Sequence, residues 1–364
     1  MLPDSSQALG RLKPSVRALR AYLLGAPVTA RKLNQNEAPS DLAEDLRREI
    51  LARAARLPWH RYPAFVPSEL CARIAERHDW APEGVLVGNG SNEVIQATLT
   101  VAIGPGDVVV APEPTFSLYR LLTGVAGGRF VAVPLGPDFR FDVDAISRTA
   151  ASEAARAVIV NSPNNPTGSV LPAGAVERLL GETEALVLCD EAYQEFGGHS
   201  AIGLLRQSAR LVVFRTFSKA IGLAGLRFGY ALAHPDVVRE ISKAKLPYNV
   251  NAITLAAAEV VLEHVDRLAE RTREIVAERE RFVGRLAELP GLRAFPTEAN
   301  FVLIRFETLP ATTVFERLVR DFDILVRNVS HGPQLDGCLR ISIGTPDDMD
   351  AVIAALKRLL TGDP

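Results

Sequence analysis

Lysine, aspartate, tyrosine, asparagine, hydroxyl and arginine side chains follow short apolar runs at several points of this chain. If the apolar runs are parallel strands, these side chains meet at one edge of a sheet, where ligands of open parallel sheets bind. A lysine among such groups suits an aldehyde cofactor bound through that lysine and held by a phosphate tail. The segments concerned are GNGSNE at 88–93, NSPNNPTG at 161–168, DEAY at 190–193, RTFSK at 215–219 and GLR at 225–227.

The turn at 88–93 is open to two interpretations. Small residues followed by a helix offer free backbone N–H groups at a positive helix end, which favours an anion site. Strand, G-x-G and helix are also the parts of a dinucleotide site, so a nicotinamide-dependent dehydrogenase is an alternative. Glu93 stands where the third glycine of that motif would allow close packing of helix on strand, which argues against it.

The elements that would position these residues alternate between strand and helix from about residue 41 onward. Continuous β-branched runs without polar alternation are typical of strands that are buried on both faces. A wound, mostly parallel sheet with helices on both sides is therefore predicted. The strand candidates are Val85–Val87, Val108–Val110, Val131–Val133, Val158–Val160, Leu186–Leu188 and Leu211–Phe214.

The chain divides into three parts on the same grounds. Residues 41–251 form the predicted large α/β domain, and residues 252–289 are a charged helical stretch that leads out of it. The remaining strand, helix, strand, strand, helix pattern predicts a small α+β domain, so that the connecting helix and this domain together occupy residues 252–364. Residues 1–40 are expected to be an arm that packs on the small domain.

Composition excludes several classes of protein. Lys and Arg number 41 against 43 Asp and Glu, so phosphate attraction to nucleic acid or to a membrane surface is not expected. The hydrophobic share of 48% argues against disorder. No apolar run approaches the length of a membrane span, and no apolar leader segment opens the chain, so a soluble protein is expected.

Cysteine and histidine patterns give no sign of a metal site. Cys71, Cys189 and Cys338 lie far apart without a C-x-x-C pair, which argues against a disulfide framework and against zinc. The six histidines form no ligand spacing either. We therefore expect no metal, and a reducing, cytoplasmic location.

Longer strings identify a family. NSPNNPTG, CDEAYQEF and RTFSKAIGLAGLRFGY resemble the class I/II aminotransferases of fold type I, which use pyridoxal 5'-phosphate. KLNQNE, HRYP, GNGSNE, PTFSLY, EANFVLIRF and GCLRISIGT are similar to the histidinol-phosphate aminotransferases within that family, from about residue 11 to residue 360. The resemblance implies a three-layer large domain with a mostly parallel sheet, a small α+β domain and a homodimer.

The resemblance also implies the residues that hold the cofactor. Lys219 matches the lysine that binds it covalently and moves the substrate proton, and Asp190 matches the partner of its pyridine nitrogen. Tyr193 and Asn165 match the partners of its phenolic oxygen. The remaining matches are Phe116 for stacking on the ring, Ser91, Asn92, Thr216, Ser218 and Arg227 for the phosphate, and Tyr62 for a phosphate contact from the neighbouring subunit. Without the resemblance, Asp190 could be a helix cap and Asn165 a turn residue.

The same resemblance implies the residues that contact the substrate. Arg340 and Arg327 match the arginines that hold the anionic end of the substrate, and Tyr22 and Asn36 are further pocket candidates, with Tyr248 a weaker one. The implied reaction converts L-histidinol phosphate and 2-oxoglutarate to imidazole-acetol phosphate and L-glutamate in histidine biosynthesis. Open alternatives are an aromatic or other amino-acid aminotransferase, a decarboxylase of phosphorylated amino acids that uses the same cofactor, and a cofactor-binding regulator.

Overall fold

The structure, a computed structural model, describes residues 4–21 and 27–361 of the chain. Three short elements come first: α1 (Ser6–Leu9), α2 (Pro14–Arg17) and β1 (Arg31–Lys32). The large domain then contains α3 (Glu44–Ala55), α4 (Ser68–Arg77), β2 (Val85–Gly88), α5 (Ser91–Ala102), β3 (Val108–Glu113), α6 (Leu118–Ala126), β4 (Arg129–Pro134), α7 (Val143–Ser152), β5 (Ala157–Asn161), α8 (Ala175–Glu182), β6 (Leu186–Asp190), β7 (Leu211–Thr216), β8 (Gly229–Ala233) and α9 (Pro235–Ser242). Each predicted strand is present at its expected place.

The large sheet has seven strands in the order β2-β8-β7-β6-β5-β3-β4. Strands β7, β6, β5, β3 and β4 run parallel to one another, and β8 is antiparallel to both β2 and β7. The mixed α/β class and the mostly parallel central sheet are therefore confirmed. The register sets Asn161 beside Asp190 at the carboxyl edge, where polar side chains were expected to meet.

Strand β8 is absent from the sequence-based prediction. Its sequence, GYALA, contains no β-branched residue, so it does not have the composition by which the other strands were found. Its position between β2 and β7 buries all five residues. Gly229 is required at its start, since a Cβ atom there would collide with the backbone nitrogen of Ser91.

Two apolar cores cover the faces of the sheet and make three layers. Alternate strand residues point to opposite faces. Val110, Val158 and Val213 face a core that includes α3, α4, α7 and α8. Val109 and Ile159 face the second core, which includes α5, α6 and α9. Burial on both faces explains why these strands read as continuous apolar runs.

The helical stretch expected over 252–289 is divided at His264, whose backbone leaves the helical region (φ −125°, ψ 31°). The first helix, α10 (Ala252–Glu263), is apolar on most sides, and its Val260 and Val261 are buried in the core of the large domain. The second, α11 (Val265–Leu286), is charged outside and buries Phe282 and Leu286 in the small domain. After the break, Leu268 at the start of α11 still belongs to the core of the large domain, and the rest of the helix packs on the core of the small domain.

The small domain has the predicted elements with two additional strands: the first predicted strand is present as two, and a second short strand follows the one predicted at 324–326. Its four-stranded antiparallel sheet has the order β12-β13-β10-β9. The helices of the domain pack against this sheet around a core that includes Phe301, Leu318 and Leu356. The elements are β9 (Leu292–Ala294), β10 (Phe301–Phe306), α12 (Ala311–Phe322), β11 (Ile324–Leu325), β12 (Arg327–Asn328), β13 (Cys338–Ser342) and α13 (Pro346–Thr361).

The N-terminal segment contacts both domains. Strand β1 pairs in parallel with β11, and the buried side chain of Leu33 belongs to the core of the small domain. Closer to the N-terminus, Leu19 lies against Gly124 of α6 in the large domain. Residues 34–37 follow β1 and cross from one domain to the other. No helix within residues 4–21 and 27–361 combines the length and apolar character that crossing a membrane requires.

Candidate active site

A cavity of about 620 Å³ lies where the carboxyl edge of the large sheet meets the small domain. Strand-end residues Asn161, Asp190 and Thr216 form part of its wall, and its volume is in the usual range for small-molecule sites. The structure brings thirteen of the predicted site residues to this cavity: Asn36, Ser91, Asn92, Phe116, Asn165, Asp190, Tyr193, Thr216, Ser218, Lys219, Arg227, Arg327 and Arg340. Tyr22 lies outside the described residues.

Lys219 follows β7, and its side chain crosses the cavity. Its Nζ donates a hydrogen bond to the backbone oxygen of Gln35, 2.8 Å away, and lies 5.6 Å from the centre of the Tyr193 ring. Burial, together with the positive charge of Arg340, lowers the pKa of Lys219 to about 7, against the smaller opposing effects of the Glu37 and Asp190 carboxylates. An amine with such a pKa can accept and return a proton near neutral pH.

Asp190 ends β6 and is 4% exposed. Its Oδ2 accepts a 2.5 Å hydrogen bond from the Tyr119 hydroxyl, and its Oδ1 accepts one from the Ala192 backbone. Burial raises the pKa of Asp190, while the Tyr119 hydrogen bond and the Ala192 N–H oppose the rise. The carboxylate is thus fixed in place with hydrogen-bond donors on both oxygens.

Tyr119 is a site residue that the sequence analysis missed. It lies in the first turn of α6, three residues after Phe116, which precedes the helix, and it is fully buried. Burial, and then the charge of Asp190, raise the pKa of Tyr119 well above its usual value, so its hydroxyl stays protonated and donates. The available signal was its position in the sequence, three residues after Phe116, a predicted site residue.

Asn161 explains the position of Asn165. The Asn161 side chain donates to the backbone oxygen of Asp190 at 2.8 Å, and its oxygen accepts from the Asn165 backbone N–H at 2.9 Å. These two bonds tie the NSPNNPTG loop to the neighbouring strand. Asn165 in turn accepts a hydrogen bond from Arg340 of the small domain.

Five predicted anion ligands gather at the start of α5. Ser91 and Asn92 form the first turn of this helix, whose backbone N–H groups attract anions. Arg227 donates to the Ser218 hydroxyl at 3.2 Å, and Thr216 donates to the same oxygen at 3.0 Å. Gly90 precedes the helix at φ +82°, and a Cβ atom there would collide with the Arg227 guanidinium. Backbone and side chains therefore form a cup suited to a phosphate.

Two arginines face the cavity from the small domain. Arg340 on β13 and Arg327 on β12 are direct partners in the antiparallel register, so their side chains project from the same face. Besides Asn165, Arg340 binds the backbone oxygen of Asn34 at 2.7 Å. Paired guanidinium groups in this position can bind a carboxylate or a phosphate.

Known proteins of similar sequence identify the family of this chain. The family model described as aminotransferase class I and II matches residues 30–356. The chain belongs to this family. Histidinol-phosphate aminotransferases from Chlorobaculum tepidum and Chlorobaculum parvum are each 38% identical to it, the first over 96% of this chain and 100% of the relative and the second over 95% and 97%.

A solved structure agrees with the family. Histidinol-phosphate aminotransferase from Sinorhizobium meliloti, in complex with pyridoxal-5'-phosphate, has a TM-score of 0.88 at 26% identity and covers 97% of this chain and 98% of its own. This aminotransferase is thus a pyridoxal-phosphate-dependent enzyme of fold type I. The nicotinamide alternative for the turn at 88–93 is wrong, because that turn belongs to the aminotransferase match.

The residues of the cavity fit pyridoxal phosphate. The cup at α5 supplies hydroxyl, backbone N–H and guanidinium donors for a phosphate, and Asp190 supplies a buried carboxylate for a ring nitrogen. Lys219 contacts the cavity between these groups. Within residues 4–21 and 27–361 no cluster of three or more His, Cys, Asp or Glu residues is placed to hold a metal ion.

Tyr62 is not brought into the cavity of its own chain. It is 80% exposed, and its ring stacks on Tyr248 with centroids 4.5 Å apart, while Phe65 meets Tyr248 edge-on at 5.7 Å. Trp59 and Leu246, also strongly exposed, belong to the same two stretches of chain. Tyr248 therefore lies with this exposed aromatic group rather than in the cavity wall.

Proposed function

We propose that this aminotransferase transfers the amino group of L-histidinol phosphate to 2-oxoglutarate, which yields imidazole-acetol phosphate and L-glutamate. The observation that carries the proposal is the 38% identity with the Chlorobaculum tepidum histidinol-phosphate aminotransferase over the full length of that relative. The reaction belongs to histidine biosynthesis, and the cytoplasmic location predicted from the cysteines fits it. The two substrates use the site in turn, so ping-pong kinetics are expected.

Bound pyridoxal phosphate supplies an electron sink for the carbon that loses its proton. Lys219 moves that proton, because its Nζ has a pKa of about 7 in the free site and can act in both directions. With the cofactor bound, Asp190 would keep the ring nitrogen protonated, and Tyr193 and Asn165 would donate to the phenolic oxygen. Phe116 would stack on the ring.

Each anion has its own residues. Ser91, Asn92, Thr216, Ser218 and Arg227 bind the phosphate of the cofactor. Arg340 and Arg327 bind the phosphate of histidinol phosphate in one half-reaction and a carboxylate of 2-oxoglutarate in the other. Their neighbouring positions on β13 and β12 support this double use, since a planar guanidinium pairs with either anion through two hydrogen bonds.

The enzyme is proposed to be a homodimer whose sites are shared between subunits. Tyr62 reaches the cofactor phosphate of the neighbouring subunit in this arrangement. Its 80% exposure, together with 73% for Trp59 and 70% for Leu246, supports the proposal, because large apolar side chains grouped at a surface mark contact sites.

Single-turnover measurements test the substrate. Cofactor-loaded enzyme is mixed with histidinol phosphate or with phenylalanine, and the loss of the visible band of the lysine-bound cofactor is followed. Fast conversion by histidinol phosphate and slow conversion by phenylalanine are expected, with Lys219→Ala as the inactive control. The reverse preference would make the enzyme an aromatic aminotransferase, and release of carbon dioxide from a phosphorylated amino acid would make it a decarboxylase.

Hybrid dimers test the shared site. Lys219→Ala and Tyr62→Ala chains are each impaired alone, but a mixed dimer contains one site with Lys219 from one chain and Tyr62 from the other. Co-expression of the two chains is expected to restore a fraction of the activity. If Tyr62 serves its own chain instead, no hybrid contains an intact site and nothing is restored.

A further inference from the structure

Asn36 occupies a special position in the segment between the domains. It is 1% exposed and has a backbone φ of +54°, a region that asparagine tolerates better than most residues. Its backbone oxygen accepts a hydrogen bond from Asn300 at 3.0 Å. Its side-chain Nδ2 lies 2.9 Å from the hydroxyl oxygen of Tyr193, 157 positions later in the chain. The residue is therefore held rigidly against a group of the active site.

Ser342 determines which way the Asn36 amide faces. The Ser342 hydroxyl oxygen accepts a hydrogen bond from the backbone N–H of Asn36 at 2.8 Å. Its own proton then goes to Asn36 Oδ1, 3.0 Å away. With Oδ1 occupied by that donor, the amide NH₂ faces Tyr193, and an amide nitrogen can only donate.

The direction of this hydrogen bond has a chemical consequence. The Tyr193 oxygen accepts from Asn36, so the Tyr193 proton is not used in that contact. We propose that Asn36 is a positioning residue that keeps the Tyr193 hydroxyl a donor toward the phenolic oxygen of the cofactor. This inference rests on the proposed role of Tyr193.

The expected sign follows from charge. A donor stabilises the phenolic oxygen most when that oxygen is fully anionic, which is the case after the proton it shares with the Lys219 nitrogen has left. With a well-directed donor, the visible band of the lysine-bound cofactor therefore titrates at lower pH. Loss of the Asn36 amide removes one constraint on the direction of the Tyr193 hydroxyl, and the midpoint rises.

Other groups around Tyr193 and Lys219 also set this midpoint, so the test must leave them unchanged. They are Asp190 on β6, Arg227 after β7, Arg340 on β13, Glu37 of the N-terminal segment and Tyr119 on α6. Asn36→Gly keeps all of them. Glycine also tolerates the positive φ, and the backbone bonds of residue 36 to Ser342 and Asn300 stay available.

The experiment is a spectrophotometric pH titration of cofactor-loaded enzyme in four forms: wild type, Asn36→Gly, Tyr193→Phe and the double variant. Asn36→Gly is expected to raise the midpoint by about 0.5 to 1 in pH, the equivalent of one hydrogen bond. In the Tyr193→Phe background the same change is expected to have no effect. Thr29→Ala is the control, since it removes a side-chain hydrogen bond of the same segment, to the Arg31 backbone oxygen, that involves neither Tyr193 nor Glu37.

The outcomes separate the two ideas. An unchanged midpoint in Tyr193→Phe would remove the proposed role of Tyr193. If Tyr193→Phe itself shifts the midpoint, two results would overturn the positioning role of Asn36 alone. One is no shift in Asn36→Gly, and the other is an equal effect of Asn36→Gly in the wild-type and Tyr193→Phe backgrounds. If Asn36→Gly fails to fold, Asn36→Asp replaces it, because aspartate has the same shape and cannot donate when ionised. The charge effect of Asp appears in both Tyr193 backgrounds, so the difference between them is the measured quantity.

Discussion

Tyr119→Phe removes one hydrogen bond from Asp190 and leaves the aromatic ring in place. The ring contact with Phe116, at 5.5 Å between centroids, is kept, and no buried donor is left without a partner. What is lost is a 2.5 Å hydrogen bond to a buried carboxylate. Asp190 then binds a proton more tightly and competes better with the ring nitrogen of the cofactor for it.

The magnitude follows from the charge on the acceptor. A hydrogen bond to an ionised group contributes about 1.5–3 kcal/mol, and a change of one in pKa corresponds to about 1.4 kcal/mol. The pKa of Asp190 is therefore expected to rise further above its usual value. The proton-transfer step is expected to slow by roughly 10-fold to 100-fold, with little change in substrate affinity.

The assay is the single-turnover half-reaction, with rate and half-saturation measured separately. Tyr230→Phe is the matched control, because Tyr230 is also a buried tyrosine. It lies away from the cavity, and its hydroxyl oxygen is 2.8 Å from His78 Nε2. A rate in Tyr119→Phe within about twofold of wild type, or an equal loss in Tyr230→Phe, would refute the reasoning. Either result would mean that the Tyr119 hydrogen bond does not govern the proton on Asp190.

Further predictions concern the lysine, the arginine pair and the phosphate cup. In enzyme stripped of cofactor, the rate of covalent loading is expected to rise with pH through about 7, since only the neutral amine of Lys219 attacks; stopped-flow absorbance measures it. Arg340→Lys keeps the charge but loses the two-bond contact, so the KM for 2-oxoglutarate is expected to rise by roughly 10-fold or more, in steady-state assays. Gly90→Ala combines a positive φ with a collision against Arg227. It is expected to weaken cofactor retention in dialysis and to lower the free energy of unfolding by about 1–2 kcal/mol. A loading rate that does not change with pH, an unchanged KM for 2-oxoglutarate in Arg340→Lys, or unchanged cofactor retention in Gly90→Ala would contradict the respective argument.

Much of the active site could be predicted from the sequence because short local patterns define it. Buried parallel strands leave an unmistakable apolar run, and the next few residues must lie at the carboxyl edge of the sheet. Asp190, Lys219 and Asn165 were placed by this rule and assigned roles by resemblance. Arg340 and Arg327 needed only the recognition of their motifs.

Residues whose importance depends on a distant partner could not be found this way. Strand β8 has no β-branched residue, and only its place between β2 and β7 makes it a strand. Tyr119 looks like any helix core residue until packing brings it to Asp190. Asn36 was predicted at the pocket, but as a substrate contact; its contact with Tyr193 was not foreseen.

The sequence alone thus determined most of the elements and the identity of the chemical groups, because those depend on local periodicity and on motifs a few residues long. Tertiary structure decided which groups share a hydrogen bond and in which direction the proton points. In the contact between Asn36 and Tyr193, the direction of the hydrogen bond is set by Ser342, which is 306 positions from Asn36 in the chain. Hydrogen bonds are short and directional, so such pairs exist only once the two domains and the segment between them have packed.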